Sequence, residues 1–414
     1  MKNPKLCGSC GKPDCNLKCA CKIVFYCGAE CQGEHWPAHK KECTVWLAKK
    51  IRGARREHGN DGAEVANARL AAAWELRQQG RYREAERCYL DARRTCAESQ
   101  GEDSINFGQI SVSLGRMYCE MGRHDESMTE LQKSLRIFRR IKGKRSETAV
   151  EVLYSIGTTL FDQGKHEEAL ARLEEARSIA LETVGPDDSM MGALLSAIGN
   201  CHTSMGRLEE ARAEHEESLR ICRITHGDDS HPVAGGLQNL GNIYGQIGML
   251  DEARANYEEA LRIHRREHGE RHPSVAGAFS NIALIIRMQG QLDEALKMFN
   301  KALKIQRRVL GEDHQTVGQS LESIGMIYVE QGKYDEAVEM YEESLSVYNR
   351  ALGIDNYLGA GAYKSMSRAK FMSGDKAGAV ESARESVRIY SKLGIDNQKS
   401  RDCAASLRRL EGGA

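Results

Sequence analysis

The sequence predicts an all-α protein, a superhelix of about eight stacked helix pairs that follows a small cysteine-rich module. Three observations predict the helix pairs: one glycine series with a 42-residue period, a second series in step with it, and a Glu-Ala step in most copies. A fixed period of this length is typical of stacked-repeat proteins. The first series is Gly80, Gly122, Gly164, Gly206, Gly248, Gly290, Gly332 and Gly374, and the second is Gly101, Gly143, Gly185, Gly227, Gly269, Gly311 and Gly353.

The charge of the chain is balanced overall but unevenly distributed. Lys plus Arg and Asp plus Glu each number 59, so no net field directs the 414 residues to nucleic acid or membrane. Residues 1–60 carry 12 basic against 5 acidic side chains, and the remainder carries 47 against 54. No apolar run approaches the ~18 residues of a membrane helix, and no secretory signal is visible. We expect no membrane partner and no small-molecule substrate, and nucleic acid is an unfavoured partner.

The N-terminal cysteines predict metal sites. Eight of the 14 cysteines lie before residue 44. Clustered cysteines in a chain without a secretory signal indicate metal ligands in a reducing compartment, cytoplasm or nucleus. Four thiolate or imidazole ligands complete a tetrahedral zinc site, so eight such ligands make two sites. The remaining six cysteines are expected to be small buried hydrophobes: Cys88, Cys96, Cys119, Cys201, Cys222 and Cys403.

The tract Phe25-Tyr26-Cys27-Gly28-Ala29-Glu30-Cys31-Gln32, followed by Trp36, His39 and Cys43, resembles a MYND-type zinc finger. The resemblance covers residues 7–43 and implies two structural Zn²⁺ ions. It places the first on Cys7, Cys10, Cys27 and Cys31, and the second on Cys21, His39, Cys43 and one further cysteine. The family pattern would need that cysteine at Lys18; Cys19 is the nearer substitute and Cys15 the fallback. MYND fingers typically bind short proline-rich peptides, and the matching contacts are Gln32 and Trp36, although Trp36 could equally pack on the second zinc site.

A basic segment follows the finger. With the finger assigned to residues 1–45, residues 46–63 are predicted to form a short amphipathic helix that ends at a Gly/Asn turn. Its basic side chains include Lys49, Lys50, Arg52, Arg55 and Arg56. They could contact nucleic acid or act as a nuclear address, and a solvated helix face is the alternative.

Residues 233–274 show the repeat most clearly. Each half is apolar on one helical face, and the first half has a glycine where a neighbouring helix must come close. The apolar positions and this glycine are Leu237, Leu240, Gly241 and Tyr244 in the first helix, and Ala253, Tyr257, Ala260, Leu261 and Ile263 in the second. The pattern resembles tetratricopeptide repeats in the 42-residue form of kinesin light chains. We expect the repeats over residues 64–393 and a capping helix and tail over 394–414, with Cys403, Leu407 and Leu410 on the closing face.

In such a superhelix the first helices would line a concave face. Asn200, Asn239, Asn242 and Asn281 lie there, and their amides can grip the main chain of an extended peptide. Alternatively, these asparagines brace neighbouring repeats. Some tetratricopeptide proteins clamp terminal carboxylates with Lys and Asn. The equivalent positions hold Ser196, Gln238, Ser280 and Glu322, which argues against that mode, and Lys364 and Arg368 are interpreted as surface charges.

No enzymatic motif is convincing. Gly164-Lys165 and Gly332-Lys333 lack the Ser or Thr of a phosphate loop, and His231-Pro232 and His272-Pro273 are interpreted as surface turns. MYND fingers and similar helices also occur in SET-domain lysine methyltransferases, but the repeats leave no room for a SET domain. The sequence therefore predicts a protein-binding adaptor that is not an enzyme. The alternative is a transcription-linked corepressor that uses the basic segment.

Overall fold

The computed structural model describes residues 62–412, the backbone of two short strands, and Gly53. The strands β1 (Leu17–Lys18) and β2 (Phe25–Tyr26) are antiparallel, with Leu17 opposite Tyr26. From Ala63 the chain is helical, and the predicted all-α fold of eight helix pairs is confirmed over this part. The chain forms two compact units, Met1–Gly227 and Asp228–Ala414.

The described part of the first unit consists of four antiparallel helix pairs. The first helix of each pair has 16 residues and the second has 18 or 19. The helices are α1 (Ala63–Gln78), α2 (Tyr82–Gln100), α3 (Ile105–Glu120), α4 (His124–Lys142), α5 (Glu147–Asp162), α6 (His166–Thr183), α7 (Ser189–Ser204) and α8 (Leu208–His226).

The described part of the second unit repeats this arrangement four times and adds one helix. The pairs are α9 (His231–Ile247) with α10 (Leu250–His268), α11 (Pro273–Met288) with α12 (Leu292–Leu310), α13 (Gln315–Glu330) with α14 (Tyr334–Leu352), and α15 (Tyr357–Ser373) with α16 (Lys376–Lys392). The last helix, α17 (Gln398–Gly412), packs on α16. Its Cys403 is buried against Ala360 and Ile389.

Both glycine series lie at turns where the backbone has a positive φ. Gly164, between α5 and α6, has φ +76°, and Gly185, after α6, has φ +93°. Residues with a Cβ rarely adopt such values, and glycine adopts them at little steric cost. The 42-residue glycine period therefore marks the two turns of every repeat.

A third glycine column lies inside the first helices, where the two helices of a pair come closest. A Cβ added at Gly157 would lie 2.6 Å from Leu173 Cγ, and one added at Gly241 would lie 2.8 Å from Tyr257 Cε1. Gly115, Gly199 and Gly325 face Leu131, His215 and Tyr341 in the same way. At these five positions an added Cβ would collide with the large side chain of the second helix, whereas the first and sixth pairs have Ala73 and Ala283 in the same column. The prediction that this column marks a close helix approach is confirmed.

A second contact between the paired helices is polar. Ser134 Oγ donates to the carbonyl oxygen of Gly108 at 3.0 Å, and its hydroxyl is buried. The same bond recurs from Ser218 to Gly192 at 2.8 Å and from Ser344 to Gly318 at 2.8 Å. Because the hydroxyl bonds a helix carbonyl, a polar group is satisfied inside the helix pair.

Each unit has its own apolar core, formed by residues of both helices of neighbouring pairs. In the first unit it includes Leu153, Leu173 and Ile198, and in the second it includes Ile282 and Phe299. The expectation for the scattered cysteines holds for some of them. Cys96, Cys201 and Cys403 are buried, whereas Cys88, Cys119 and Cys222 are half-buried, and all six are free thiols.

Ion pairs on the surface repeat with the fold. The loop before a first helix carries an Asp that pairs with a basic residue of the following second helix. Arg140 donates to Asp103 at 2.7 Å, and Arg350 donates to Asp313 at 2.5 Å. In the third pair the signs are exchanged. There Arg145 of the loop pairs with Glu182 of α6.

His215 is a buried exception in the core of the first unit. Its side chain is 1% exposed, it packs on Gly199, and its Nδ1 has no hydrogen-bond partner in the described part of the chain. Burial lowers the pKa of His215 to about 4. The equivalent positions of the other seven pairs hold Tyr89, Leu131, Leu173, Tyr257, Phe299, Tyr341 and Ala383.

We predict opposite effects for two glycine substitutions on α9. Gly241→Ala places a methyl group against Tyr257, and overpacking of this kind destabilises by about 1–3 kcal/mol. Gly235→Ala is the matched control, because no atom lies within 4 Å of its added Cβ. There the better helix propensity of Ala stabilises by about 0.5–1 kcal/mol. Chemical denaturation followed by circular dichroism measures both. Equal effects of the two substitutions would contradict the close-approach explanation.

We also predict that His215→Leu makes the repeats less sensitive to acid. Between pH ~6.5 and ~4 the unfolded chain binds a proton at His215 that the folded chain does not, because the folded pKa is lowered. The free energy of unfolding therefore falls as the pH falls through this window, by about 2 kcal/mol between pH ~7 and ~5. The variant should lose that part of the fall. His226→Leu, an exposed control on α8, should keep it; an unchanged pH profile in His215→Leu would refute the assignment.

Candidate functional site

The predicted zinc ligands and finger contacts lie outside the described residues. Only the pairing of β1 with β2 is described, and these strands directly precede Cys19 and Cys27 in the sequence. Seven thiols and one imidazole, spaced mostly in chelating pairs, have the chemistry that tetrahedral zinc requires. The positions in question are Cys7, Cys10, Cys19 (or Cys15), Cys21, Cys27, Cys31, His39 and Cys43 for zinc, and Gln32 and Trp36 for a peptide.

In the first unit the first helices form a continuous layer. Arg116 Nε of α3 donates to Ser155 Oγ of α5 at 2.9 Å. Cys119 Sγ of α3 donates to Asp162 Oδ2 of α5 at 3.2 Å, and burial raises the pKa of that thiol to about 11. These contacts fix the spacing of neighbouring first helices, so the side chains between them keep a defined arrangement.

Asn200 lies at a cavity of this layer. It is half-exposed on α7 and makes no hydrogen bond with the residues that the structure describes. The cavity has a volume of about 340 Å³. Hydroxyl, amide, carboxylate and aromatic side chains of α5 and α7 line it together with Leu173 of α6: Tyr154, Thr158, Phe161, Asp162, Ser196 and Asn200. Burial raises the pKa of Tyr154, so its phenol stays neutral. The lining can donate to and accept from a peptide main chain.

The three asparagines of the second unit differ from one another. Asn242 is exposed on α9, and its Oδ1 accepts a hydrogen bond from Tyr257 Oη at 2.5 Å. Asn239 also interacts with a neighbour. Asn281 is half-exposed on α11 and makes no hydrogen bond within the described part of the chain. Asn242 therefore braces its own helix pair, whereas Asn281 is available to a ligand.

Sequence reasoning did not find a second cavity, at the end of the second unit. It has a volume of about 440 Å³ and is enclosed by α15, α16 and α17. Lys364, Arg368 and Arg409 line it beside Phe371 and Leu410. Lys364 pairs with Asp402 at 3.6 Å, but neither arginine forms an ion pair with the described residues. The spacing of Lys364 and Arg368 was the signal in the sequence, and Arg409 joins them only because α17 packs back on the last pair.

A carboxylate clamp is also disfavoured by the geometry in the second unit. Glu322 stands at one of the positions where such clamps have a basic or amide group. Burial raises the pKa of Glu322, and Tyr348 Oη donates to its Oε2 at 3.3 Å. A half-buried carboxyl group at this place offers no positive charge to the acidic end of a ligand.

Comparison with known proteins identifies both modules. A profile described as "Tetratricopeptide repeat" matches residues 107–182, 190–266, 233–279, 274–350 and 316–392, and one described as "MYND finger" matches residues 7–43. These are protein-interaction modules, and the second binds zinc. The chain belongs to the tetratricopeptide-repeat family and carries an N-terminal MYND finger.

Two solved structures with TM-scores above 0.5 agree with the fold. The apo form of RapI aligns with a TM-score of 0.54 at 15% identity, covering 69% of this chain and 98% of RapI. A Rap protein complexed with Competence and Sporulation Factor aligns with a TM-score of 0.52 at 17% identity, covering 85% of this chain and 98% of the Rap protein. The TPR-like repeats of a kinesin light chain-like protein from Podosopora anserina align with a TM-score of 0.43 at 20% identity, covering 49% of this chain and 96% of that one.

The fold is typical of non-enzymatic proteins that bind other proteins. Helices α1–α17 occupy Ala63–Gly412, so this span has no place for the β-rich SET domain of the methyltransferase alternative. Among residues 62–412, no helix is both long and apolar enough to cross a bilayer.

We predict that Cys27→Ser releases zinc from the finger and leaves the repeats folded. Thiolate ligands supply most of the folding energy of so small a module, whereas the described repeats have cores of their own. Elemental analysis should show a loss of zinc, with unchanged helical circular dichroism. Cys88→Ser, at a half-buried thiol of α2, is the control and should keep its zinc. Melting of the repeats in Cys27→Ser would contradict the independence of the two modules.

Proposed function

We propose that the protein is an adaptor that brings two protein partners together. Its repeats bind an extended peptide segment on the face of the first helices, and its finger binds a short proline-rich peptide through Gln32 and Trp36. Two structural Zn²⁺ ions hold the finger, with Cys19 as the eighth ligand. Linking two binding modules in one chain raises the effective concentration of one partner for the other.

One observation carries the proposal for the repeats: the cavity between α5 and α7. Asn200, which has no hydrogen-bond partner among the described residues, offers uncharged donor and acceptor groups there, beside Tyr154 and Phe161. A peptide main chain needs such partners for its N–H and C=O groups, and the aromatic rings offer apolar area. In the second unit, Asn281 offers an uncharged amide of the same kind on the first helix α11.

The cavity of α15, α16 and α17 supports a preference for acidic segments. Arg368 and Arg409 face it together, beside the half-exposed ring of Phe371. An arginine forms charge-assisted hydrogen bonds with a carboxylate, and Phe371 and Leu410 suit an apolar neighbour. A segment that carries an acidic and an apolar side chain fits this end of the repeats. The corepressor alternative depends on residues 44–56, and the described contacts add nothing in its favour.

Photo-crosslinking in cells tests the proposal. A benzophenone amino acid at Asn200 should capture a partner protein, because that position lines the cavity. The matched control is the same group at Ala171, which is exposed on α6, a second helix. The crosslinked partner is identified by mass spectrometry, and the segment of it that carries the crosslink should be extended.

The two positions give a clear decision. Capture at Asn200 and not at Ala171 supports binding on the first-helix face. Capture at Ala171 alone, or equal capture of the same proteins at both positions, would place the partner elsewhere and refute the proposed surface. Thr158→Trp, which fills the cavity, should reduce the capture at Asn200 severalfold.

A further inference from the structure

Four potential metal ligands converge in the second unit. One donor atom from each of His231, His264, Glu267 and His268 lies within 4.8 Å of the others. The ring centroids of the three histidines are 5.9, 6.1 and 6.2 Å apart. Glu267 Oε2 lies 4.0 Å from His231 Nδ1 and 3.6 Å from His268 Nε2. The carboxylate therefore stands among the imidazoles.

The local structure explains this convergence. His264, Glu267 and His268 have the spacing i, i+3, i+4, which places them on one face of the last turns of α10. His231 opens α9, with Pro232 in its first turn. Because α9 and α10 are antiparallel, the beginning of one lies beside the end of the other. Three ligands from α10 and one from α9 thus meet at one end of the helix pair.

His264 gives the strongest indication of a ligand. It is 1% exposed, and neither of its ring nitrogens has a hydrogen-bond partner in the part of the chain that the structure describes. A buried polar atom without a partner is unfavourable, because it has lost its hydrogen bonds to water. A coordinated ion would satisfy one nitrogen.

The charges around the cluster leave Glu267 facing the imidazoles. Arg262 pairs with Asp229 at 2.6 Å, and Arg266 pairs with the same carboxylate. Arg265 pairs with Glu270 at 3.1 Å. The neighbouring arginines are therefore engaged with other carboxylates.

A fourth histidine supports the orientation of the cluster. His272 stacks on His268 with 4.2 Å between the ring centroids. Its Nδ1 accepts a hydrogen bond from the backbone N–H of Ser274 at 3.2 Å, which fixes the ring at the start of α11. The stacked ring limits the rotation of the His268 side chain.

The repeat fold does not require these residues. The same positions one repeat earlier hold Ser189, Cys222, Thr225 and His226, and one repeat later they hold Pro273, Gln306, Val309 and Leu310. Other helix pairs form without them, so the cluster belongs to this repeat alone among the three. Its sequence signal is His-x-x-Glu-His at residues 264–268, followed by His272-Pro273. Sequence reasoning did not notice the first motif and interpreted the His-Pro step as a surface turn.

We propose that His231, His264, Glu267 and His268 bind one divalent transition-metal ion, with Zn²⁺ as the best match. Imidazole and carboxylate ligands suit zinc, and four ligands complete its tetrahedron. With Zn–N bonds of about 2.1 Å the ring centroids would be about 5 Å apart. The three imidazole rings would therefore move about 1 Å closer to one another when the ion binds. The spacing His-x-x-Glu-His also occurs in zinc peptidases, where the Glu is a base. Here the carboxylate of Glu267 lies close enough to the imidazole nitrogens to share one ion with them. The ion would hold α9 and α10 together and have a structural role.

Zinc content of the full-length chain tests the proposal, because the finger contributes the same background to every variant. The double variant His264→Gln/His268→Leu carries the residues that the next repeat has at these positions, Gln306 and Leu310, so its helix pair should fold. His226→Gln is the matched control, since His226 stands one repeat before His268. Circular dichroism verifies folding in all three chains.

After equilibration with micromolar free zinc and removal of the excess, elemental analysis should find about one zinc fewer per chain in the double variant than in the wild type or the control. Added zinc should also raise the melting midpoint of the repeats in those two chains and leave that of the double variant unchanged. Equal zinc content in all three chains would overturn the proposal. A zinc-dependent rise in melting midpoint that persists in the double variant would overturn it as well.

Discussion

The close approach of the two helices within each pair is the constraint on which the rest of the structure depends. In five of the eight described pairs a glycine of the first helix meets a large side chain of the second, as Gly157 meets Leu173 and Gly325 meets Tyr341. The missing Cβ allows the ring or branched chain to lie against the helix backbone, where dispersion contacts are dense. Because the apolar positions and turns recur from one pair to the next, each pair can stack on its neighbour in the same way. The first-helix layer, with its cavity at Asn200, follows from this stacking.

Sequence alone predicts the repeats because their signals are local and periodic. The turn glycines and the apolar faces of the helices recur every 42 residues, and each has a direct backbone or packing cause. The MYND tract is local in the same sense, since its ligands lie within residues 7–43. Local periodic signals therefore gave the fold class, the number of helix pairs and the two modules.

The features that sequence alone did not predict depend on contacts between distant segments. His231 is 33 residues from His264, and only the antiparallel pairing of α9 with α10 brings them together. Arg368 and Arg409 are likewise far apart in sequence and meet through α17. The asparagines show the same limit in another form. Their position in the repeat was evident, but whether an amide bonds a neighbour, as Asn242 does with Tyr257, depends on the rotamer.

The exchanged ion pair of Arg145 with Glu182 has a consequence for how such arrays change during evolution. Both partners belong to one repeat, so duplication or loss of a whole repeat carries the complete pair with it. A recombination point inside the repeat would instead combine the loop arginine with a basic residue such as Arg140 or Arg350 of another copy, and like charges would meet. Whole repeats, bounded by their turn glycines, are therefore the pieces that can be inherited and exchanged without electrostatic conflict.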